Sequence, residues 1–327
     1  MAQPMISAIV MAGYNNKWTV RKYARTIAEH YGEKFIETGY KPLREFETLE
    51  REIPVRKPLI LFTLEKLVEM DCIGDITIVG HRMLLEQRLK KFIKNVDKPF
   101  KIINQNSKIP PDVIKRFKIV PRKTKYNSIA GNMIKGYAGS AAGKNAQHAL
   151  FVASDSPMTS RNFIEYFLDA AKAYEQEFAI ILPAVLIEDY TDRFGRVPLR
   201  LINDTGLKLS DRKDSYGRQG FRLSSLLYAN PCEFDLNSAN TAYNLRKCLN
   251  PKVQLKLFRI TRALGYSNVY SKYFLRKDLS VTEVENITSG FFSGKLKVIP
   301  VRDVESSYDY DGTDDEFRNL SRMLRKR

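Results

Sequence analysis

The sequence predicts an α/β protein with a mostly parallel sheet flanked by helices. From residue 1 to 183, short apolar runs alternate with amphipathic stretches, as in chains whose strands are connected by helices. The run Ile6–Ala12 includes five consecutive apolar residues, which indicates a strand buried on both faces. After residue 183 the pattern changes to turn signals and then to helical spacing, so we expect a small hairpin-plus-helical lid beside the core.

The elements of the first half follow from local patterns. Apolar or β-branched runs predict strands, and apolar residues at helical spacing predict helices. Strands are predicted at Ile6–Ala12, Asp75–Gly80, Phe100–Ile103, Ala149–Ala153 and Ala179–Leu182. Helices are predicted at Thr19–His30, Pro58–Met70, Met83–Ile93, Ser128–Tyr137 and Arg161–Tyr174.

In the second half, the turn signal at Asn203–Gly206 predicts hairpins over 197–230. Helical spacing follows over 238–290, then a strand at Lys297–Val301 and a last helix at Asp314–Leu324. We expect the late strand to rejoin the first sheet. The predicted organisation is a nucleotide-binding core of 1–183 plus 295–327, with 184–294 as an acceptor-side lid.

The charge of the chain indicates an anionic partner. The 327 residues carry a formal net charge of +17. Arg82–Lys125 holds 14 Lys or Arg against three acidic residues, and Leu236–Lys277 holds nine with no acid. Nucleotides, phosphorylated small molecules, nucleic acid and an anionic membrane surface all fit, and a merely solvated basic exterior is the alternative.

Composition also excludes several classes. Hydrophobic residues make up 43% of the chain, too many for a disordered protein. No apolar run is long enough to span a membrane, and the N-terminus lacks the features of a signal peptide. Cys72, Cys232 and Cys248 form no CxxC pair, which disfavours a zinc site and favours a reducing cytoplasm.

Four segments carry candidate chemistry. Gly13 directly follows the first strand, where the absence of a side chain lets backbone amides approach a phosphate. Lys57 stands at a helix start, which already favours anions. Asp155 follows the strand Ala149–Ala153 and offers Mg²⁺ a hard oxygen. Asp309 and Asp311 alternate in a segment before the last helix, so only one of them can face a shared metal.

Taken in order, these segments resemble the nucleotidyltransferases of the glycosyltransferase-A-like fold, in particular the branch related to molybdenum-cofactor guanylyltransferase. AIVMAGYNN resembles the phosphate loop of that family, KPLILFTLEKLVEM its Lys-Pro-Leu helix, FVASDSPM its metal-binding strand end, and YDYDGTDDEF its closing acidic motif. The segment Tyr126–Gly131 is similar to the Ser-Val segment of cytidylyltransferases, which meets the nucleobase. The resemblance covers about 1–183 and 295–327.

The resemblance implies a role for each matching residue. Lys57 and Asp155 would be catalytic, and Asp155 with Asp311, or Asp309 if the register is shifted by two, would bind Mg²⁺. The nucleotide would be contacted by Ala12, Gly13, Tyr14, Lys57, Asn127, Ser128 and Gly131. A second Lys-Pro-Leu at Lys41–Leu43 competes for the lysine role; we prefer Lys57 because a helix and then a strand follow it at once.

The implied reaction is Mg²⁺-dependent transfer of a nucleoside monophosphate from an NTP to a phosphorylated acceptor, with release of pyrophosphate. Two alternatives stay open, a glycosyltransferase using a sugar nucleotide and a non-catalytic nucleotide or nucleic-acid binder. The triplet Ser154-Asp155-Ser156 lacks the Asp-x-Asp usual in the first class, and the basic residues lack the interleaved aromatics that single-strand binding uses. The expected partners are an NTP and a phosphorylated acceptor, with an anionic membrane surface as a further possibility.

Overall fold

The computed structural model describes residues 5–13, 40–50, 53–118, 128–186, 201–205, 220–238, 279–301 and 314–325, with seven single positions between 259 and 276. The strands are β1 Ile6–Ala12, β2 Glu45–Glu50, β3 Ile53–Pro58, β4 Ile73–Gly80, β5 Phe100–Asn104, β6 Ala149–Ala153, β7 Ile180–Leu186, β8 Leu201–Ile202, β9 Gly220–Leu223, β10 Leu226–Ala229 and β11 Leu296–Val301. The helices are α1 Leu59–Glu69, α2 Arg82–Lys94, α3 Pro111–Ile114, α4 Ile129–Gly139, α5 Ala141–Asn145, α6 Arg161–Lys172, α7 Val281–Phe292 and α8 Asp314–Leu324, and Lys41–Leu43 forms a 3-10 turn.

Nine of the strands form one sheet in the order β5-β4-β1-β6-β10-β7-β9-β8, and β11 pairs with β7. Strand β1 is parallel to both of its neighbours, with Ala12 opposite Gly80 on one side and Met11 opposite Ala153 on the other. Strands β9 and β10 run against the rest. The sheet is therefore mostly parallel, and the predicted fold class is confirmed.

Helices cover both faces because β1 is apolar on both. Ala8 and Val10 point into a cluster with residues of α1, α2 and α6, whereas Ile9 points into a cluster with residues of α4, α5 and α7. All three side chains are fully buried. An uninterrupted apolar run is what such a three-layer arrangement requires of its central strand, as the sequence predicts.

A second, two-stranded sheet lies outside the main one. Strands β2 and β3 pair as an antiparallel hairpin, which the sequence analysis did not predict. The buried ring of Phe46 joins a separate apolar cluster with α1, α8 and Met158, and its centroid lies 4.8 Å from that of Phe317 in α8. The hairpin thus brings the last helix of the chain to the start of α1.

Most predicted elements are confirmed with shifts of a few residues at their ends. The strand predicted at Lys297 is β11 and rejoins the sheet, and Asp314–Leu324 is helical. Strands β8, β9 and β10 lie within the segment 184–294 but belong to the main sheet, so residues 220–229 are part of the core layer. The division into core and lid otherwise stays a prediction, and the helix predicted at Thr19–His30 lies outside the described residues.

Candidate functional site

The carboxyl ends of β1, β4 and β6 meet at one edge of the main sheet. Pairing places the ends of β1 and β4 side by side, and the Ser154 amide following β6 donates to the Met11 carbonyl over 3.3 Å. Ligands of open α/β sheets bind at this edge because the loops that follow neighbouring parallel strands converge there. Gly13, His81 and Asp155 lie within two residues of these strand ends, at the place where such a ligand would bind.

Tyr40 ties two of the strand ends together. Its hydroxyl donates to the Ala12 carbonyl over 2.5 Å and accepts from the His81 amide over 3.1 Å. The close approach requires glycine at the end of β4, since a Cβ on Gly80 would lie only 2.3 Å from the Tyr40 oxygen. Tyr40 is 5% exposed. The buried Tyr40 hydroxyl both donates and accepts a hydrogen bond. Tyr40 therefore fixes the position of the residue that follows it.

That residue is Lys41, the first residue of the 3-10 turn. Its ammonium donates to Asp155 Oδ2 over 2.6 Å, and the two side chains are 31% and 28% exposed. The turn is held from below because Pro42 and Leu43 are buried. The first Lys-Pro-Leu motif, rather than the second, therefore supplies the lysine that lies at the end of β6.

The segment carrying Asp155 is fixed independently. Lys66 of α1 donates to the Pro157 carbonyl over 2.6 Å, and the hydroxyls of Ser156 and Ser225 lie 2.5 Å apart. Ser156 is fully buried. Asp155 is thus presented from a turn whose backbone is bonded to α1 on one side and to the β9–β10 connection on the other.

Lys57 has other partners. It lies in β3, where its ammonium contacts Glu50 Oε1 at 2.9 Å and Glu65 Oε2 at 2.7 Å and sits 4.9 Å from the Phe62 ring centroid. Burial by itself lowers the pKa of the lysine, but hydrogen bonds to both carboxylates outweigh burial and raise it. Two carboxylates already neutralise this charge, so Lys57 stays a predicted site residue without support from its contacts.

On the other side of β1, Gly13 lies against two amide side chains. A Cβ on Gly13 would lie 2.9 Å from Asn132 Nδ2 and 3.2 Å from Gln105 Oε1. Asn132 belongs to α4, whose N-terminus is capped by Ser128 through a 3.0 Å hydrogen bond from the Gly131 amide. The structure therefore brings Gly13 and the helix that carries Ser128 and Gly131 into one place.

Asn132, which lies beside Gly13, is a candidate site residue that the sequence analysis did not include. It is 6% exposed, and its Oδ1 accepts no hydrogen bond from the described residues. A buried acceptor without a donor costs free energy, so native proteins keep few of them. One signal was available in the sequence: Asn132 follows Ser128 by four residues and so lies on the same helical face.

One turn further along α4, Lys135 is also buried. Its ammonium donates to the Gln105 carbonyl, and burial lowers the pKa of Lys135 to about 8. The Gln105 amide in turn donates to the Gly80 carbonyl over 2.9 Å. This lysine thus supports the loop after β5 from beneath, and a positive charge lies behind the two amides that flank Gly13.

Four of the predicted site residues, Tyr14, Asn127, Asp309 and Asp311, lie outside the described residues. Within the described ranges, no three His, Cys, Asp or Glu side chains are grouped so as to hold a metal ion. Asp155 could therefore serve only as one ligand among several. The helices of the described ranges include none with the length and apolarity that crossing a membrane requires.

The fold of this chain is similar to that of solved transferase and synthetase structures. A hypothetical transferase from Thermus thermophilus superimposes with a TM-score of 0.56 at 16% identity, covering 96% of this chain and 99% of its own. A CMP:2-keto-3-deoxy-manno-octonic acid synthetase complexed with CTP gives a TM-score of 0.52 at 9% identity, covering 98% of each chain. No protein-family model matches the chain, and neither does any of the curated proteins. At these identities the likeness establishes the fold, and the guanylyltransferase-like branch stays a prediction.

Proposed function

We propose that the protein is a Mg²⁺-dependent nucleotidyltransferase, which transfers a nucleoside monophosphate from an NTP to a phosphorylated acceptor. The observation that carries this proposal is the Lys41–Asp155 pair at the shared carboxyl ends of β1, β4 and β6. A lysine and a carboxylate at this edge suit a substrate that brings both phosphates and a divalent cation. A synthetase holding CTP on the same fold supports an NTP as the substrate.

In the proposed reaction an oxygen of the acceptor phosphate forms a bond to the α-phosphorus of the NTP. The bond from that phosphorus to the oxygen bridging to the β-phosphate breaks, and pyrophosphate leaves with the electron pair. No covalent intermediate with the protein is needed, so the task of the protein is positioning and charge neutralisation.

Phosphates are assigned to the edge between β1 and β6. Gly13, which has no side chain, lets them approach the end of β1, with Ala12 and Tyr14 on either side of it. Lys41 takes the role that the sequence analysis gave to Lys57, because its ammonium lies at Asp155 and can reach a phosphate from an anchored turn.

The nucleobase is assigned to the opposite side of Gly13. Ser128, Gly131 and the preceding Asn127 were expected there, and Asn132 adds an acceptor that has no donor among the residues the structure describes. Every nucleobase offers an N–H group on its pairing edge, so the base supplies what Asn132 lacks.

Asp155 fits the role of a magnesium ligand. Its carboxylate is a hard oxygen donor, it is partly exposed, and Mg²⁺ in nucleotide sites commonly uses one or two carboxylates with substrate phosphates and water completing the shell. Asp309 or Asp311 is the proposed second carboxylate; α8 starts three residues after Asp311, and α8 packs on the hairpin that follows Lys41. A bound Mg²⁺ would neutralise charge on the phosphate oxygens as the reaction proceeds.

The proposed binding region for the acceptor is inferred from its positive charge. Arg259 and Arg262, in the basic segment 236–277, are exposed, whereas Lys272 is paired with Glu283. Arg246 and other basic residues of the segment lie outside the described residues. We assign the exposed part of this segment to the phosphorylated acceptor.

The test is a pyrophosphate-release screen of the four NTPs against sugar phosphates, polyol phosphates and cofactor precursors. Asp155→Asn should abolish turnover, about a thousandfold or more, because it removes the charge without changing the shape. The control is Asp169→Asn, whose carboxylate on α6 is 75% exposed and paired only with Lys172 among the described residues. Turnover by Asp155→Asn at the control rate would refute the proposal.

A further inference from the structure

The Lys41–Asp155 ion pair links the binding of a cation to the binding of a phosphate. In the proposed function, Lys41 has to contact phosphate and Asp155 has to contact a cation, yet in this structure each neutralises the other at 2.6 Å. While the pair is closed, a ligand has to compete with the charge that each side chain already faces. The pair is partly exposed, so its partners can be exchanged without opening the core.

The backbone on both sides of the pair is held in place. Tyr40 is bonded to β1 and to the residue after β4, and Ser156 and Pro157 are bonded to Ser225 and Lys66. Opening the pair therefore has to come from side-chain rotation. The lysine has a long flexible stem and the aspartate a short one, so Lys41 is the partner that moves.

The charges of Lys41 and Asp155 determine how the binding of one ligand affects the binding of the other. A divalent cation that binds Asp155 alone displaces Lys41 and leaves an ammonium beside a dication. A polyphosphate that takes Lys41 alone leaves the Asp155 carboxylate unpaired beside an anion. When both ligands arrive, each charge of the pair gains a new partner and no like charges are left facing each other.

We infer that this ion pair makes the cation and the polyphosphate bind cooperatively, each poorly without the other. The inference rests on the proposed function, since it assumes that both ligands use this edge of the sheet. Coupling of this kind is reciprocal, so the cation must favour the polyphosphate by the same factor as the polyphosphate favours the cation. Removing one half of the pair should then improve the binding of the ligand that uses the other half.

The cation arm of the test uses Mn²⁺ alone, followed by the loss of its free paramagnetic signal. Lys41→Met should lower the Kd for Mn²⁺ by about tenfold, because Asp155 no longer has a competing cation beside it. Lys295→Met is the matched control: it removes a lysine from a comparable pair with Glu177, at 2.9 Å, and changes the net charge equally. Adding Asp155→Asn to Lys41→Met should abolish the gain.

The polyphosphate arm uses tripolyphosphate with a chelator present, measured by calorimetry. Asp155→Asn should tighten its binding by about fivefold or more, because a carboxylate that competes for Lys41 and repels the anion is lost. Glu177→Gln is the control for this arm and should leave the Kd unchanged. In the cation arm, Lys41→Gln keeps a polar side chain and replaces Lys41→Met should that variant fold poorly.

The outcomes separate the inference from the proposed function. If Mn²⁺ and tripolyphosphate bind but Lys41→Met and Asp155→Asn leave both Kd values unchanged, the coupling is wrong and the nucleotidyltransferase proposal stands. If neither ligand binds to any variant even when both are added together, both are overturned. If Lys41→Met tightens Mn²⁺ and Asp155→Asn tightens tripolyphosphate while the double variant tightens neither, the ion pair opposes each ligand alone, as the coupling requires. These measurements do not depend on turnover.

Discussion

Replacing Gly80 with alanine tests whether Tyr40 anchors the site. A Cβ at this position would lie 2.3 Å from the Tyr40 hydroxyl, 2.6 Å from the Ala12 carbonyl oxygen and 2.8 Å from Leu85 Cδ1. The carbonyl belongs to the central strand β1 and has little room to shift. Tyr40 must therefore withdraw, and its hydroxyl loses both the Ala12 carbonyl and the His81 amide.

The size of the effect follows from these contacts. Forcing an extra methyl group into a packed interior costs about 1–3 kcal/mol. Losing the buried hydrogen bond to the Ala12 carbonyl adds about 1 kcal/mol. Gly80→Ala should therefore lower the free energy of unfolding by about 2–4 kcal/mol. Because Lys41 follows Tyr40, its ammonium should also leave Asp155, and turnover should fall by about tenfold or more.

Urea denaturation measures the stability effect, and Gly290→Ala is the matched control. A Cβ on Gly290 meets nothing within 4 Å, and alanine is favoured over glycine within a helix such as α7 by about 1 kcal/mol. The control should thus be slightly more stable than wild type. A Gly80→Ala protein within about 0.5 kcal/mol of wild type would refute the anchoring role of Tyr40.

Two further predictions concern α4. Asn132→Leu should raise the free energy of unfolding by about 1 kcal/mol, since a buried acceptor unpaired among the described residues is replaced by an isosteric apolar group. The same change should raise KM for the NTP. An unchanged KM with raised stability would show that Asn132 does not contact the base. Burial lowers the pKa of Lys135 to about 8 from an ordinary 10.5, so between these values the unfolded chain binds more protons and stability rises with pH. Lys135→Met should remove about 2 kcal/mol of that rise between about pH 7 and pH 10, measured from urea midpoints against wild type. An equal rise in both proteins would contradict the lowered pKa of Lys135.

The main sheet was predictable because its strands are buried on both faces. An uninterrupted apolar run such as Ala8–Ala12 or Ala149–Ala153 has few other interpretations, and the structure has a strand at each. The helix after Lys57 was also predicted to within one residue. In these segments the local pattern alone determines the element.

The β2–β3 hairpin was not predictable in this way. Its first strand, Glu45–Glu50, holds three glutamates and only two apolar residues, which do not alternate. The hairpin packs as a separate layer against α8, so the contact that buries Phe46 joins it to Phe317 far along the chain. Locally, this pattern is typical of a polar surface segment. The apolar residues that make it a strand pair are supplied by the C-terminal helix.

The proximity of the first Lys-Pro-Leu motif to Asp155 was not predictable for a related reason. Sequence reasoning preferred Lys57 because a helix follows it, and that helix exists. The partner of Lys41, however, lies 114 residues away at the end of β6, and no local pattern encodes that proximity. The register of β1 with β4 and β6, together with the Tyr40 hydroxyl, positions Lys41 at Asp155.

The amino and carboxyl ends of the parallel strands differ in how well their polar groups are paired, and this difference supports the candidate site independently of any resemblance. At the amino ends of β1 and β4, the Ser7 hydroxyl donates to Asp75 over 2.5 Å and accepts from the Ala142 amide over 2.8 Å, and Asp75 also accepts from the Ala141 amide. Each of these polar groups has a partner within the chain, as expected of an edge that contributes to stability. At the carboxyl ends, by contrast, Asn132 Oδ1 accepts no hydrogen bond within the described part of the chain, Lys135 keeps a charge in a buried position, and a partly exposed ion pair occupies the end of β6. Such features lower stability unless a ligand compensates them, and all of them lie where the parallel strands end.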